Sequence, residues 1–244
     1  MELNKINNDI EILENNLDIS NIYSKEFQQF INGLFQAEGT VGVYFPKKES
    51  LRVGFNFSIG QNYSKEAAIL LLRVKAILGV GHIKVEINTN GNVHIRYVIS
   101  NTQDILEKAA PYFKHIYGQK RFVLANLYKI YNLSIILKNS FKPDLKEVSE
   151  LIHLVYSSNS DGGQSRKITL AEKLSVFNCY GHTTNLEIIP ENLDLPSKLF
   201  ILGMFIGDGS LGFVFNERPE NIERLKKYYS NPDNPAKFRS AQRE

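Results

Sequence analysis

Two acidic residues occupy equivalent places in two similar stretches of the sequence. "FINGLFQAEGTVGVYF", residues 30–45, carries Glu38, and "FILGMFIGDGSLGFVF", residues 200–215, carries Asp208. Each acid ends an apolar run of helical period, where the partial negative charge of a helix C-terminus disfavours an anion. Two carboxylates close together repel each other unless a cation lies between them. The pair therefore indicates a site for a hard divalent ion such as Mg²⁺, which binds carboxylate and phosphate oxygens.

The similarity between the two stretches extends beyond the acids. Six phenylalanine and glycine residues of the first stretch recur in the second, each 170 residues later. They are Phe30, Gly33, Phe35, Gly39, Gly42 and Phe45, which recur in that order as Phe200, Gly203, Phe205, Gly209, Gly212 and Phe215. This pattern indicates an internal duplication. Gly33 and Ala37 lie about one helical turn apart, and Gly203 and Gly207 repeat that spacing. Such stripes of small residues allow close helix approach, so we expect the two helices to pack side by side with both acids at the same end.

Periodicity predicts the elements that position the first acid. A helix is expected from Ser24 to Gly39, then two strands ("TVGVYF" and "LRVGFNFSIG"), a helix over 64–78, a hairpin formed by "HIKVEI" and "NVHIRYVIS", and helices near 102–110, 119–138 and 143–157. In "TLAE", Thr169 to Glu172, a capping box opens a further short helix. The second strand alternates, with Val53, Phe55, Phe57 and Ile59 on one side and Arg52, Asn56 and Ser58 on the other.

The two stretches resemble the nine-residue motif of the LAGLIDADG homing endonucleases. "INGLFQAEG" (31–39) and "ILGMFIGDG" (201–209) both fit the motif, and its metal-binding acid falls on Glu38 and Asp208. Both depart from it at the earlier acidic position, which is Gln36 in the first copy and Ile206 in the second. That position is not the metal ligand, so we expect little effect from these departures.

The resemblance implies an α+β fold: an αββαββα module with a saddle-shaped antiparallel sheet, followed by an incomplete second copy. On this basis we expect a leader over 1–23, a first LAGLIDADG domain over 24–178, a linker over 179–196, and a partial second repeat with a polar tail over 197–244. The leader is expected to be either a polar helix or a disordered segment.

The resemblance also implies that the sheet lies in the major groove of double-stranded DNA. The side chains expected on the DNA side are Tyr44, Arg52, Asn56, Ser58, His82, Lys84, Glu86, His94 and Arg96. Gln61 matches a position that orders water near the metal, and Lys120 matches a basic residue at the cleavage site. Arg166 and Lys167 match a loop that contacts phosphates. From the residues alone, Gln61 and Lys120 could equally be solvated polar positions, and any half-buried sheet has polar residues on its outer side.

The implied activity is that of an intron-encoded endonuclease that hydrolyses phosphodiester bonds at a long DNA target with Mg²⁺ or Mn²⁺. The catalytic set would be Glu38, Asp208, Gln61 and Lys120, with the two acids as metal ligands. Three alternatives stay open: a maturase that assists splicing of intron RNA, a truncated relic that only binds nucleic acid, and a homodimer that pairs Glu38 with Glu38.

Composition supports a nucleic-acid partner and argues against a membrane protein. The net charge is +3, but residues 1–20 hold one lysine and five acids, so the rest carries 28 basic and 21 acidic side chains. That excess suits a polyanion. No apolar run reaches the roughly 20 residues that span a bilayer, and Cys179, the single cysteine, cannot form an internal disulfide. Abundant Asn and Ile, with frequent Lys, suggest A/T-rich codons and hence the genome of a mitochondrion or another organelle, or another A/T-rich genome.

Overall fold

The structure is a computed structural model that describes residues 2–87, 91–113, 115–158, 168–181 and 196–207. All of these belong to one compact unit. Its elements, in chain order, are α1 (Glu2–Asn15), α2 (Lys25–Glu38), β1 (Gly39–Tyr44), β2 (Gly54–Asn62), α3 (Lys65–Leu78), β3 (His82–Ile87), β4 (Val93–Ile99), α4 (Thr102–Asp104), a π-helical turn (Ile105–Ala109), α5 (Ala110–Tyr112), α6 (Gly118–Asn139), α7 (Leu145–Ser157), α8 (Leu170–Val176) and α9 (Lys198–Gly207). In the part of the chain that is described, no helix is long and apolar enough to cross a membrane.

The four strands form one antiparallel sheet with the order β1-β2-β4-β3. Its buried face carries the residues that the alternation places inward, among them Phe55, Phe57 and Ile59 on β2 and Ile95 and Tyr97 on β4. The helix-strand-strand pattern occurs twice, with α2 before β1 and β2 and with α3 before β3 and β4. The predicted α+β architecture, with one complete module, is confirmed.

Helix α2 is anchored to the sheet by aromatic packing. The Phe35 ring lies 4.9 Å from Phe57 and 4.4 Å from Phe113, measured between ring centroids. The helix begins after Ser24, whose hydroxyl accepts a hydrogen bond from the Phe27 N–H, as an N-cap does. This packing fixes the direction in which the end of α2 points.

Gly39 ends α2 as predicted. Its φ of −72° is an extended conformation, not the left-handed one typical of a C-terminal glycine. A Cβ at Gly39 would lie 2.1 Å from Cδ2 of Phe35, so the position is too close to that ring for a side chain. At Gly79, by contrast, φ is 67°, and α3 ends there through the left-handed conformation.

The N-terminal segment forms a helix that packs on the module. Ile6 and Ile10 of α1 are buried in the common core. Lys75 on α3 forms an ion pair with Glu14, with 2.5 Å between Nζ and Oε1. Of the two states expected for the leader, the structure therefore shows the helix.

Candidate functional site

Helices α2 and α9 cross in backbone contact. A Cβ at Gly33 would lie 1.8 Å from the carbonyl oxygen of Phe200, and a Cβ at Gly203 would lie 1.9 Å from that of Phe30. The contact is reciprocal, because Phe30 and Gly33 recur as Phe200 and Gly203 at the offset of 170. The predicted side-by-side packing through small residues is confirmed.

The two helices run in the same direction, so their C-terminal ends meet. The position of a Cβ at Gly207, the last residue of α9, is 2.6 Å from Cβ of Ala37 and 3.2 Å from Cγ of Glu38. Glu38 therefore lies against the residue that precedes Asp208 in the chain. Asp208 itself is outside the described residues, as are Arg166 and Lys167.

Gln61, at the end of β2, joins the same place. Its Nε2 donates a hydrogen bond to the carbonyl oxygen of Gly207, with a distance of 3.3 Å. Glu38 and Gln61 line a cleft of about 680 Å³ whose other walls include Glu66, His94 and Ile206. The structure therefore brings together two of the predicted catalytic residues. Among the described residues no three His, Cys, Asp or Glu side chains form a metal-binding group.

Lys120, on α6, lies at the C-terminus of α2. Its Nζ donates hydrogen bonds to the carbonyl oxygens of Phe35 (2.9 Å), Gln36 (2.6 Å) and Ala37 (3.2 Å). These carbonyls carry the negative end of the helix dipole, so the ammonium group offsets the charge that disfavours Glu38 there. The position of Glu38 thus has an electrostatic support in the protein itself, besides the metal that the sequence indicates.

Gln36, one of the departures from the motif, has a structural role that the sequence did not indicate. Its Oε1 accepts a hydrogen bond of 2.8 Å from the backbone N–H of Tyr117. Tyr117 is the N-cap residue of α6, and its own side chain provides no cap hydrogen bond. An amide oxygen can accept this bond as a carboxylate would, so Gln36 and Lys120 together fasten α2 to the start of α6.

The predicted DNA-side residues share the outer face of the sheet. The strand register aligns Tyr44 with Gly54, Gly42 with Asn56, Thr40 with Ser58, Val98 and His82, Gly60 with Arg96 and Lys84, and Asn62 with His94 and Glu86. Arg52 precedes β2 in the same alternation and is exposed. Thr40 and Asn62 also belong to this face and were missed, although extending the alternation by four residues, from Tyr44 along β1 and from Ser58 along β2, would have found them.

The charges on this face are arranged around Glu86. Its carboxylate lies 2.7 Å from Nζ of Lys84 and 3.5 Å from Nη2 of Arg96. The hydrogen bond from Lys84 holds the pKa of Glu86 below its usual value, so the acid is ionised at neutral pH. Burial, with Arg96 as a second cause, lowers the pKa of His94. The His94 ring covers Gly60.

The comparisons with known proteins agree with this architecture. Residues 31–142 match the family model described as LAGLIDADG endonuclease. Similar solved structures include I-LtrWI, a LAGLIDADG homing endonuclease bound to target DNA (20% identity, 75% of this chain, 58% of that chain, TM-score 0.52). A second is the LAGLIDADG homing endonuclease I-GzeII in complex with a DNA target (21% identity, 74% of this chain, 58% of that chain, TM-score 0.54). A third is I-SmaMI bound to an uncleaved DNA target in the presence of calcium ions (20% identity, 74% of this chain, 57% of that chain, TM-score 0.53).

These structural likenesses concern the fold, since all three identities are low. The chain spans a little under three fifths of the length of each matched structure. No curated protein matches the sequence.

Proposed function

We propose that this protein, whose residues 31–142 belong to the LAGLIDADG endonuclease family, is a site-specific endonuclease of double-stranded DNA of the homing type. One observation carries the proposal. The reciprocal crossing at Gly33 and Gly203 brings Glu38 against the residue before Asp208, at one end of a helix pair beside the polar sheet face. A cleft at that place can hold a phosphodiester, and the sheet face offers side chains to base edges in the major groove.

The residues at this place suit a divalent ion. Glu38 supplies carboxylate oxygens, Asp208 would supply a second carboxylate, and oxygen ligands are those that Mg²⁺ and Mn²⁺ prefer. When bound, such an ion stabilises negative charge on the scissile phosphate and lowers the pKa of water. We assign the two acids as its ligands.

The other catalytic residues act around that pair. Gln61 would position solvent in the cleft, which its hydrogen bond to Gly207 permits because the amide oxygen is not used in that bond. The ammonium group of Lys120, which reaches from α6 to the C-terminal end of α2, would stabilise negative charge on the scissile phosphate. The outer-face residues would contact bases and backbone, while Arg166 and Lys167 would contact phosphates.

The test is cleavage by wild-type protein and by three variants that each remove one carboxylate. The substrates are the DNA that flanks the open reading frame and a randomised double-stranded library, each with Mg²⁺ and with Mn²⁺. We expect Glu38→Gln and Asp208→Asn to lose cleavage while keeping the wild-type melting temperature. Glu66→Gln is the matched control, because Glu66 lines the same cleft from the first turn of α3; this variant should cleave like wild type.

Two outcomes would contradict the proposal in different ways. Cleavage by both Glu38→Gln and Asp208→Asn at the wild-type rate would refute the assignment of the metal ligands. Absence of cleavage by the wild type on every substrate would favour the maturase alternative or an inactive nucleic-acid-binding relic. An in vitro splicing assay with the host intron RNA distinguishes these two, because only a maturase would assist splicing. Intron encoding and an organellar location remain proposals from composition and resemblance.

A homodimer is the remaining proposal for assembly. A second chain could place its first module against the first module of its partner, with the two Glu38 side chains together. In the structure α9 covers Gly33, the residue at which such a dimer would cross. This dimer therefore requires α9 to leave α2.

A further inference from the structure

The connection between β1 and β2 is an irregular loop, residues 45–53, at one end of the sheet. It carries the exposed side chains of Lys47 and Arg52, and Arg52 continues the alternation of the outer face. A loop of this kind has carbonyl and N–H groups that no strand partner satisfies. Where those groups find partners determines how rigidly the two cations are held.

Lys173, on α8, provides the partners for three of the carbonyl groups. Its side chain is fully buried, with 0% exposure. Nζ donates to the carbonyl oxygens of Lys47 (3.0 Å), Lys48 (2.7 Å) and Ser50 (2.6 Å). An ammonium group has three N–H donors, so one buried lysine can bond to all three of these carbonyl groups.

Aromatic rings enclose the ammonium group. Nζ lies 4.1 Å from the ring centroid of Phe45 and 5.2 Å from that of Phe177. Such cation–π contacts partly compensate for the loss of water. Burial nevertheless lowers the pKa of Lys173 to about 8, so the charge is retained at neutral pH against a desolvation cost. A buried cation whose hydrogen bonds all go to backbone oxygens of one loop indicates that loop geometry is what it secures.

Both sides of the loop are held by fixed elements. The Tyr156 hydroxyl, from α7, lies 2.8 Å from the carbonyl oxygen of Ile168 and 3.0 Å from that of Thr169, and so holds the start of α8. Thr169 also caps α8 through the predicted capping box. On α6, the buried Ser134 donates to the Leu51 carbonyl (2.9 Å) and accepts from the Val53 N–H (3.3 Å).

We propose that Lys173 is a positioning residue for DNA recognition: it fixes the loop 45–53, and with it the place of Lys47 and Arg52 relative to the outer face of the sheet. This inference rests on the proposed function. Lys173 does not contact DNA, because it is fully buried; it acts through the loop. Its loss should therefore affect recognition at the end of the target that the loop meets, and leave the rest of the target unaffected.

The experiment combines hydrogen exchange of the protein without DNA and selection from a randomised library of double-stranded DNA. Lys173→Met keeps the length of the side chain and removes its donors. We expect the Arg52 and Val53 amides, whose hydrogen bonds go to hydroxyl groups within and beside the loop, to exchange about tenfold faster through local opening. We expect base preference to disappear at one end of the selected site only.

Three further variants make the result specific. Lys129→Met removes an equal charge from an exposed lysine that pairs with Glu150, and should change neither measurement. Ser134→Ala loosens the same loop from α6 and should reproduce the loss of base preference at that end. Lys173→Gln, which removes the charge and keeps only two N–H donors, repeats the test on Lys173 itself if Lys173→Met does not fold. Unchanged exchange in the folded variant, or a uniform loss of preference along the site, would refute the inference while the proposed function stands. A wild type that selects no sequence would refute the proposed function and the inference with it.

Discussion

Lys120 has one role that its contacts show, in charge balance, and a second, catalytic role that we propose. Its three hydrogen bonds to carbonyl groups of α2 offset the dipole at the end of the helix that carries Glu38. The same ammonium group is proposed to stabilise charge during cleavage. A variant can separate these two roles, because stability reports the first and the rate of cleavage of bound DNA reports the second.

We expect Lys120→Met to lower the free energy of unfolding by about 1.5–3 kcal/mol, the range for hydrogen bonds to charged groups. Cleavage of bound DNA should slow by about 10²-fold or more, with a much smaller change in DNA affinity. Denaturant unfolding, equilibrium binding and single-turnover cleavage at saturating protein measure the three quantities. A destabilised variant that cleaves bound DNA at the wild-type rate would assign Lys120 a structural role only.

Lys173 gives the protein a pH-dependent stability. Its pKa is about 8 in the folded state, whereas a lysine exposed to water has a pKa of 10.5. Between these values the unfolded chain holds a proton that the folded protein has lost, so the cost of burying the charge falls, and stability increases, as pH rises from 8 to 10.5. Below pH 8 its contribution is constant. Burial raises the pKa of Cys179 and of Tyr112, the latter to about 12. At high pH these groups lose their protons more readily in the unfolded chain, so they oppose the increase in stability that Lys173 gives.

The difference between wild type and Lys173→Met isolates that contribution. We expect the wild type to gain stability relative to the variant by up to about 1.4 kcal/mol per pH unit between pH 8 and 9.5. Urea unfolding of both proteins at intervals from pH 7 to 9.5 is the measurement. A difference that stays flat across this range would show that Lys173 keeps an ordinary pKa.

At the scale of elements, the α2–α9 pair determines whether the two acids can meet. The contact at Gly33 and Gly203 places backbone against backbone, without room for a methyl group. The separation of the helices therefore sets the separation of their C-terminal ends. We expect the stability of the protein and its rate of cleavage both to depend on the separation of α2 and α9.

We expect Gly33→Ala to destabilise the protein by about 1–3 kcal/mol, as overpacking does, and to abolish cleavage because the helices must move apart. Gly79→Ala is the control: apart from its two chain neighbours, no residue in the described part of the chain lies within 4 Å of its Cβ position, and only the φ of 67° is strained. That variant should lose stability and still cleave when folded. Wild-type cleavage by Gly33→Ala would show that the acids tolerate a wider helix pair.

At the scale of the whole molecule, one four-stranded sheet is present in the described residues, and the chain spans 57–58% of the length of the matched structures. One sheet can contact only about half of a long target. Affinity for DNA scales steeply with the number of phosphates that are neutralised. We therefore expect this sheet to supply about half of the phosphate contacts of a long target, and the affinity for DNA to be limited accordingly.

Binding should fall steeply with salt, with a slope near −0.9 for each phosphate contact in a plot of log affinity against log salt concentration. We expect Arg166→Ala and Lys167→Ala to reduce that slope by about one unit each. Fluorescence anisotropy across about 50–200 mM salt measures it, and sedimentation of the same sample reports self-association. Tight, asymmetric protection of a full-length target by a monomer at about 150 mM salt would contradict this prediction.

The sequence by itself determined the helices, the strands, the two faces of the sheet and the pairing of the motifs. These features have a local period or a fixed offset, and such patterns are set by neighbours along the chain. The alternation in β2 placed Asn56 and Ser58 outward, and the offset of 170 placed Gly33 near Gly203.

The tertiary structure alone decided what Gln36, Lys120 and Lys173 do. Their partners lie far away in sequence: Lys120 bonds to carbonyls 83–85 residues distant, and Lys173 to carbonyls 123–126 residues distant. A lysine on a helix is expected to be solvated, because burying its charge is costly without partners. Only the packing of α6 and α8 against α2 and the loop 45–53 supplies those partners, and no local pattern encodes it.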